Sequence, residues 1–227
     1  MNIPGIYMMK TEPFETHASR YNDWFERNEL VYGSELRAVR EQLFDIRDAL
    51  EVGVGSGKFA APLGIRYGLD PSAKMVRLAR ENGIEAVRGV AEVLPFADQC
   101  FDLVLMVTAI CFLDDVDAAF REAYRVLRPE GHLVVAFVDK DSPIGRAYQQ
   151  KKDQSVFYRE AIFYSTGTIT RHLRKSGFCD ISCVQTLFND LSDIPRIESP
   201  CRGYGRGSFV VVRAVKYGGG QGLDRHQ

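Results

Sequence analysis

Glu51, Gly53, Gly55 and Gly57 stand at alternate positions in Glu51-Val52-Gly53-Val54-Gly55-Ser56-Gly57, and Asp70 follows in Gly68-Leu69-Asp70-Pro71-Ser72. Glycines so spaced let a backbone turn sharply and approach a ligand that any Cβ would obstruct. A carboxylate at the tip of the next strand can accept hydrogen bonds from both hydroxyls of a ribose. The chemistry this pattern supports is the holding of an adenosine-containing cofactor. A dinucleotide fingerprint would put its third glycine three residues after the second. That position is Lys58, and the glycine comes one residue early, at Gly57. An ordinary tight turn would use the same glycines, but it would need neither the acid before them nor the acid after.

Such a loop needs a strand on each side, and the hydrophobic pattern supplies them. Residues 48–52 read as the first strand and 64–69 as the second. Between them, 58–63 leave room for barely two helical turns, weakened by Pro62, where parallel crossovers usually take a dozen residues or more. Pro71 opens a helix over 71–82 with Met75, Val76, Leu78 and Ala79 inward, closed by Asn82-Gly83. A third strand over 84–88 precedes the apolar run 101–107, as expected of a central parallel strand. An amphipathic helix over 116–127 stops at Pro129 and Gly131, and a strand follows over 132–138. Helices near 142–153 and 166–176 and strands near 178–186 and 208–215 complete the pattern.

Ahead of this alternation, 1–12 read as a flexible leader and 14–43 as mostly helical, broken at Gly33-Ser34-Glu35, with Ser34 the N-cap of a helix over 35–45. The expected organisation is an N-terminal helical cap segment over 1–45, one domain over 46–216 with 141–165 as a cap insert, and a disordered tail over 217–227. The expected fold class is α/β: a three-layer sandwich around a mostly parallel sheet with one antiparallel strand near the C-terminus. Ligands in such sheets bind beyond the carboxyl ends of the strands, where residues 53–57, Asp70, Ala91 and residues 108–112 would gather.

E-x-G-x-G-x-G with an acid on the next strand resembles motif I and the acidic loop of the class I S-adenosylmethionine-dependent methyltransferases. Gly89-Val90-Ala91-Glu92-Val93-Leu94-Pro95-Phe96, Phe101-Asp102-Leu103-Val104 and Arg125-Val126-Leu127-Arg128-Pro129-Glu130-Gly131-His132-Leu133 resemble three further segments of that family, in order, so the likeness spans residues 48–139. It is closest to the small-molecule type built on methyltransferase domain 11, and the short first crossover and the Ile110-Cys111-Phe112-Leu113-Asp114-Asp115 segment resemble a small bacterial branch. The resemblance implies a seven-stranded Rossmann-like methyltransferase fold, S-adenosylmethionine as cofactor and S-adenosylhomocysteine as product. It also implies roles: Glu51, Gly53, Gly55 and Gly57 around the methionine part, Asp70 on the ribose, Pro71 or Met75 near the adenine, the Ala91 N–H on an adenine nitrogen, and the Thr108 backbone near the amino group. Tyr21 would close over the cofactor. Two departures stand out. Val90 replaces an aspartate that accepts from the adenine amino group, leaving Glu92 or backbone to do so, and Ala109-Ile110-Cys111-Phe112-Leu113 lacks a histidine common there.

Methyl transfer from a sulfonium needs alignment and exclusion of water more than proton chemistry. The absence of an evident base therefore leaves a small-molecule amine, thiol or oxygen nucleophile open, with no catalytic residue assigned. Aromatic residues of the cap (Tyr21, Trp24, Phe25, Phe157, Tyr158, Phe163 and Tyr164) would wall the acceptor pocket or merely pack the cap; Asp23, Glu26 and Asp114 are candidates for recognising a cation. Net charge of −1 argues against nucleic acid as a partner, and no stretch is long and apolar enough for a membrane span. Five cysteines without a C-x-x-C pair, and no visible secretory signal, point to free thiols in a cytoplasmic monomer or homodimer without a metal. A non-catalytic S-adenosylmethionine-binding partner subunit and a nicotinamide-dependent oxidoreductase are the competing readings.

Overall fold

The computed structural model describes residues 5–43 and 47–218 of the chain. Three helices lead, α1 (Gly5–Thr16), α2 (Ala18–Arg27) and α3 (Glu29–Arg40). Then come β1 (Ala49–Val52), α4 (Ala60–Leu63), β2 (Tyr67–Asp70), α5 (Ala73–Glu81), β3 (Glu85–Arg88), β4 (Phe101–Val107), α6 (Val116–Val126) and β5 (Leu127–Val138). The chain continues through α7 (Pro143–Gln150), α8 (Thr166–Lys175), β6 (Phe178–Thr186), β7 (Cys201–Arg202) and β8 (Phe209–Lys216).

The sheet runs in the order β3-β2-β1-β4-β5-β8-β6-β7. The neighbours from β3 to β5 pair in parallel, and β8 inserts antiparallel between β5 and β6. This is the expected reversed strand; the two-residue β7 adds a short antiparallel edge to β6. The run in β4 splits by parity, as period-two geometry requires. Val104 and Met106 join the core beneath α6 and α8, with Phe120, Ile169 and Leu173. Leu103, Leu105 and Val107 join the core on the opposite face, with Val31 and Val39 of α3 and Val76 and Ala79 of α5. Burial on both faces is why the strand carries no polar alternation.

Several expectations are corrected. Residues 5–12 of the expected leader belong to α1, and residues 1–4 lie outside the described residues. Gly33-Ser34-Glu35 does not break a helix: α3 runs straight through it. A Cβ on Gly33 would lie 2.7 Å from Ile197 Cδ1, so the glycine gives the Ile197 side chain room against α3 rather than making a turn. Ser34 is not an N-cap; its hydroxyl donates to Leu30 O at 2.6 Å and accepts from Glu198 N at 2.9 Å. Residues 44 and 45 of the expected 35–45 helix, and the tail beyond 218, fall outside the described residues. The helix expected to open at Pro71 begins two residues later, at Ala73, because Ser72 is its N-cap and accepts from Met75 N at 3.1 Å. The fifth strand starts early, at Leu127, and absorbs a register shift against β4 in which Glu130 takes φ 63°.

Candidate active site

The glycine loop sits where β1 ends, and its backbone is committed to β2. Gly53 N and Val54 N both donate to Leu69 O, at 2.7 and 3.0 Å. Gly53, Gly55 and Gly57 take φ of 75°, 53° and 85°, a region costly for any residue with a Cβ. A Cβ on Gly53 would meet Ala109 Cβ at 2.6 Å, and one on Gly55 would reach the Tyr21 hydroxyl at 3.0 Å. The loop is clamped from outside: Ser56 Oγ donates to Asn22 Oδ1 of α2 at 2.6 Å, and Asn82 Nδ2 donates to Ser56 O at 2.9 Å.

Asp70 closes the other side of this cradle. Gly55 N–H donates to its Oδ2 and Ser72 N–H to its Oδ1, both at 2.9 Å. Burial pushes the carboxyl up to about 6, while those two N–H groups pull it down. Each oxygen keeps a further lone pair for a donor arriving from the cavity.

The cavity above the strand ends holds about 450 Å³, a size typical of small-molecule sites. It runs from Asp70 past Gly53 and Thr108 to Val138. Those residues sit on or just past β2, β1, β4 and β5, so the cavity spans three strand spacings, about 14 Å. Of the predicted residues, Tyr21, Gly53, Gly55, Asp70, Pro71, Ala91, Glu92 and Thr108 line it. Glu51, Gly57 and Met75 do not. Met75 is core, 1% exposed, and Gly57 lies over Ile84 and Ala79. Glu51 is buried under the loop; its Oε2 has no hydrogen-bond partner, and burial holds its carboxyl well above the usual range. Glu92 reaches the cavity, but its Oε1 accepts from Asp114 N at 2.9 Å and Asp115 N at 3.3 Å, bracing the segment after β4. Thr108 sits at φ 51°, a rare conformation for a β-branched residue, with its N–H held by Ala136 O at 2.8 Å. Strain of this kind, fixed by its surroundings, collects at functional sites.

The roof is aromatic and comes from the N-terminal helices and the segment after α7. Phe14 packs edge-on to Tyr21 and Phe112 at 5.7 and 5.2 Å between centroids, and lies 5.3 Å from Phe157. Polar bonds pin α1 on both sides. Glu15 Oε1 accepts from Ala73 N at 2.6 Å, and Lys10 Nζ donates to Leu113 O at 3.0 Å and to Asp114 at 2.5 Å. Tyr158 lines the cavity, whereas Phe163 only packs behind it, 5.9 Å away, and Tyr164 joins the core.

None of the three acids proposed for a cation serves the interior. Asp23 pairs with Arg27 in solvent, Glu26 is exposed and Asp114 is held by Lys10. Besides Asp70 and Glu92, the cavity is lined by a third acid, Glu35 on α3, 6% exposed. The sequence held a signal for it: Val31, Glu35 and Val39 recur at helical spacing, so the carboxylate stands in an apolar stripe. Reading a break at Gly33 hid that register. Cys111 is buried, its thiol pushed up to about 12 and donating to Thr108 O at 3.2 Å, which leaves it inert. Among the described residues no His/Cys/Asp/Glu group forms a metal site.

A glycine cradle and a strand-tip carboxylate at the carboxyl end of a mostly parallel sheet define a nucleoside-cofactor-binding α/β domain. A family model described as a methyltransferase domain matches residues 50–135. The chain is 36% identical over 203 residues to an uncharacterised protein of Methanocaldococcus jannaschii, MJ1123, covering 89% of this chain and 98% of that one. It is 35% identical over 180 residues to Mb2026c of Mycobacterium bovis, covering 77% of this chain but 63% of that protein. A Thermotoga maritima structure described as an S-adenosylmethionine-dependent methyltransferase, "possible histamine N-methyltransferase", matches with TM-score 0.88 and 44% identity over 90% of this chain and 98% of that one. The chain belongs to the S-adenosylmethionine-dependent methyltransferases of Rossmann-like fold, whose cofactor is S-adenosylmethionine and whose product from it is S-adenosylhomocysteine. The residues present fit that group: Asp70 offers two lone pairs to a diol, and side chains on Gly53 and Gly55 would fill the cradle.

Proposed function

We propose that this protein methylates a small molecule held in the cavity between the strand ends and the aromatic roof. The observation that carries the reading is the Asp70 carboxylate, fixed by Gly55 and Ser72 at one end of a 450 Å³ cavity that continues beyond Thr108. When bound, S-adenosylmethionine supplies an electrophilic methyl carbon on a sulfonium. Asp70 would hold the ribose, the Gly53–Gly55 backbone and Thr108 the methionine part, and Pro71 and Ala91 the adenine side. Tyr21, Trp24, Phe25, Phe112, Phe157 and Tyr158 exclude water and offer ring faces to positive charge. No histidine lines the cavity among the described residues, so the reading rests on alignment in a dry site rather than on a dedicated base during transfer.

In this reading α1–α3 and residues 141–165 act as a cap on the domain over 46–216, and Tyr21 closes over the cofactor. The acceptor is a small molecule rather than nucleic acid, in keeping with a net charge of −1, and the working unit is a monomer or homodimer. The free thiols suit the reducing cytoplasm, and among the described residues no helix is long and apolar enough to cross a membrane.

Calorimetric titration with S-adenosylmethionine, S-adenosylhomocysteine and NADH, on the wild type and Asp70→Ala, tests this. Micromolar binding of the first two, lost in the variant, is expected. Binding of NADH alone would return the loop to a dinucleotide role. Tight cofactor binding without S-adenosylhomocysteine formation from any amine, thiol or hydroxyl acceptor would favour a partner subunit.

A further inference from the structure

Glu35 is a buried acid that the cofactor reading leaves unused. It lines the cavity and is 6% exposed, and its carboxyl opens onto the cavity with no hydrogen bond or ion pair to the described residues. A buried carboxylate without a partner is costly and is normally paired. Its helix packs against β6 and β8, toward the opposite half of the sheet from Asp70. Its neighbours are aromatic: Tyr21 of α2, Tyr32 of its own helix, Tyr148 of α7 and Tyr158 beyond it all feel its charge. Tyr148 and Tyr158 stack with centroids 5.3 Å apart and an interplanar angle of 23°. Glu51 also bears on Tyr21 and Tyr32, but burial holds its own carboxyl well above the usual range. The cations lining the cavity do not neutralise Glu35: Lys10 is held by Asp114, and Arg20 and Lys151 are exposed.

We propose that Glu35 receives the amino group of a small, largely apolar primary or secondary amine, which is the methyl acceptor. Aromatic faces and one carboxylate at hydrogen-bond reach form the chemistry that distinguishes an ammonium from an alcohol, a thiol or a carboxylate. This rests on the methyltransferase reading and gives its substrate class.

The proton balance follows from the same geometry. Burial, with no cation to oppose it, pushes the Glu35 carboxyl up to about 8. Near pH 7 the empty site therefore holds a carboxylic acid, and the free amine is an ammonium. The two meet with one proton to share, so one proton leaves to solvent as the complex forms. When the shared proton sits on Glu35, the N–H bond has broken, its electron pair stays on nitrogen as the lone pair, and the pair carries no net charge. The acceptor is thus made nucleophilic on binding, before any transfer, and no further base is required.

The test is calorimetry on the full chain saturated with S-adenosylhomocysteine, so that no turnover occurs. The probes are benzylamine and butylamine, with benzyl alcohol, butanol and phenylacetate as counterparts. Titration in two buffers of different ionisation enthalpy counts protons. Expected are at least tenfold tighter binding of an amine than of its alcohol, and release of about 0.9 proton per amine at pH 7, the fraction of carboxyl protonated there. Glu35→Gln should lose both the preference and the proton release while keeping its affinity for S-adenosylhomocysteine within twofold. Equal binding of amine and alcohol, preference for phenylacetate, no binding of either amine, or an unchanged preference in Glu35→Gln each overturns the proposal. Failure of the wild type to bind S-adenosylhomocysteine would instead overturn the methyltransferase reading.

Discussion

Replacing Glu35 with glutamine in the empty protein should stabilise it, and by an amount that grows with pH. A glutamate ionises ordinarily at 4.5, and inside this fold the same carboxyl is held up to about 8 by burial alone. The folded state therefore keeps its proton where the unfolded state has already released one. Stability is lost as pH rises from 4.5 through about 8, and above that the full penalty of a desolvated charge remains. Each tenfold change in an ionisation constant is worth about 1.4 kcal/mol, so the penalty reaches about 5 kcal/mol at high pH. At pH 5 it is only about 1 kcal/mol, because that pH lies only about half a unit above the ionisation of the unfolded carboxyl. The stability difference between Glu35→Gln and wild type should thus widen by about 4 kcal/mol between pH 5 and pH 9, or about 10 °C in Tm for a domain of this size. Other titrating groups contribute equally to both proteins and cancel. Urea unfolding followed by circular dichroism at five pH values gives the difference directly. A difference that stays flat from pH 5 to pH 9 would mean that water solvates this carboxylate, and the argument for a dry acceptor end would collapse with it.

Asp70→Asn should bind S-adenosylhomocysteine at least tenfold more weakly with little change in unfolding midpoint. The lost acceptor costs about 1–3 kcal/mol, while removing a carboxyl raised from 3.8 to about 6 returns about 3 kcal/mol above that pH; a variant that still binds normally by calorimetry contradicts the ribose role. Gly53→Ala should lose about 2–4 kcal/mol in urea unfolding, from a Cβ at φ 75° driven to 2.6 Å from Ala109 Cβ, and wild-type stability would show the loop to be slack. Asp139→Ala removes a buried acceptor of Asp141 N, Thr166 N and Thr166 Oγ1, at 2.8, 2.8 and 2.6 Å; a loss of about 3 kcal/mol is expected, with hydrogen exchange accelerated first at the start of α8. Glu130→Gly relieves a side chain at φ 63° and should raise Tm by one or two degrees, about 0.5 kcal/mol; a lower Tm would show that its packing against Gly218 matters more.

What the chain alone determined is local. Alternate glycines with an acid on either side define a turn that can bring its backbone against a ligand, because φ of 75° and 53° at Gly53 and Gly55 suits glycine and a Cβ there would crowd Ala109 and Tyr21. The apolar run of β4 and the stripes of α5 and α6 set a covered parallel sheet, since each pattern can be buried in only one way. Tertiary structure decided the rest. Gly33 reads as a break until Ile197, far along the chain, is seen to occupy the space a side chain there would take. Met75 and Pro71 lie four residues apart, yet Met75 is inside α5 and turned into the core while Pro71, ahead of the Ser72 N-cap, stays at the cavity. Glu92 is a free acid in the sequence and a brace for Asp114 and Asp115 in the fold. Glu35 shows the division most clearly. Its helical spacing is written in the chain, but its carboxyl acquires meaning only when α2, α7 and the segment after α7 bring tyrosines near it and leave it 6% exposed at the cavity.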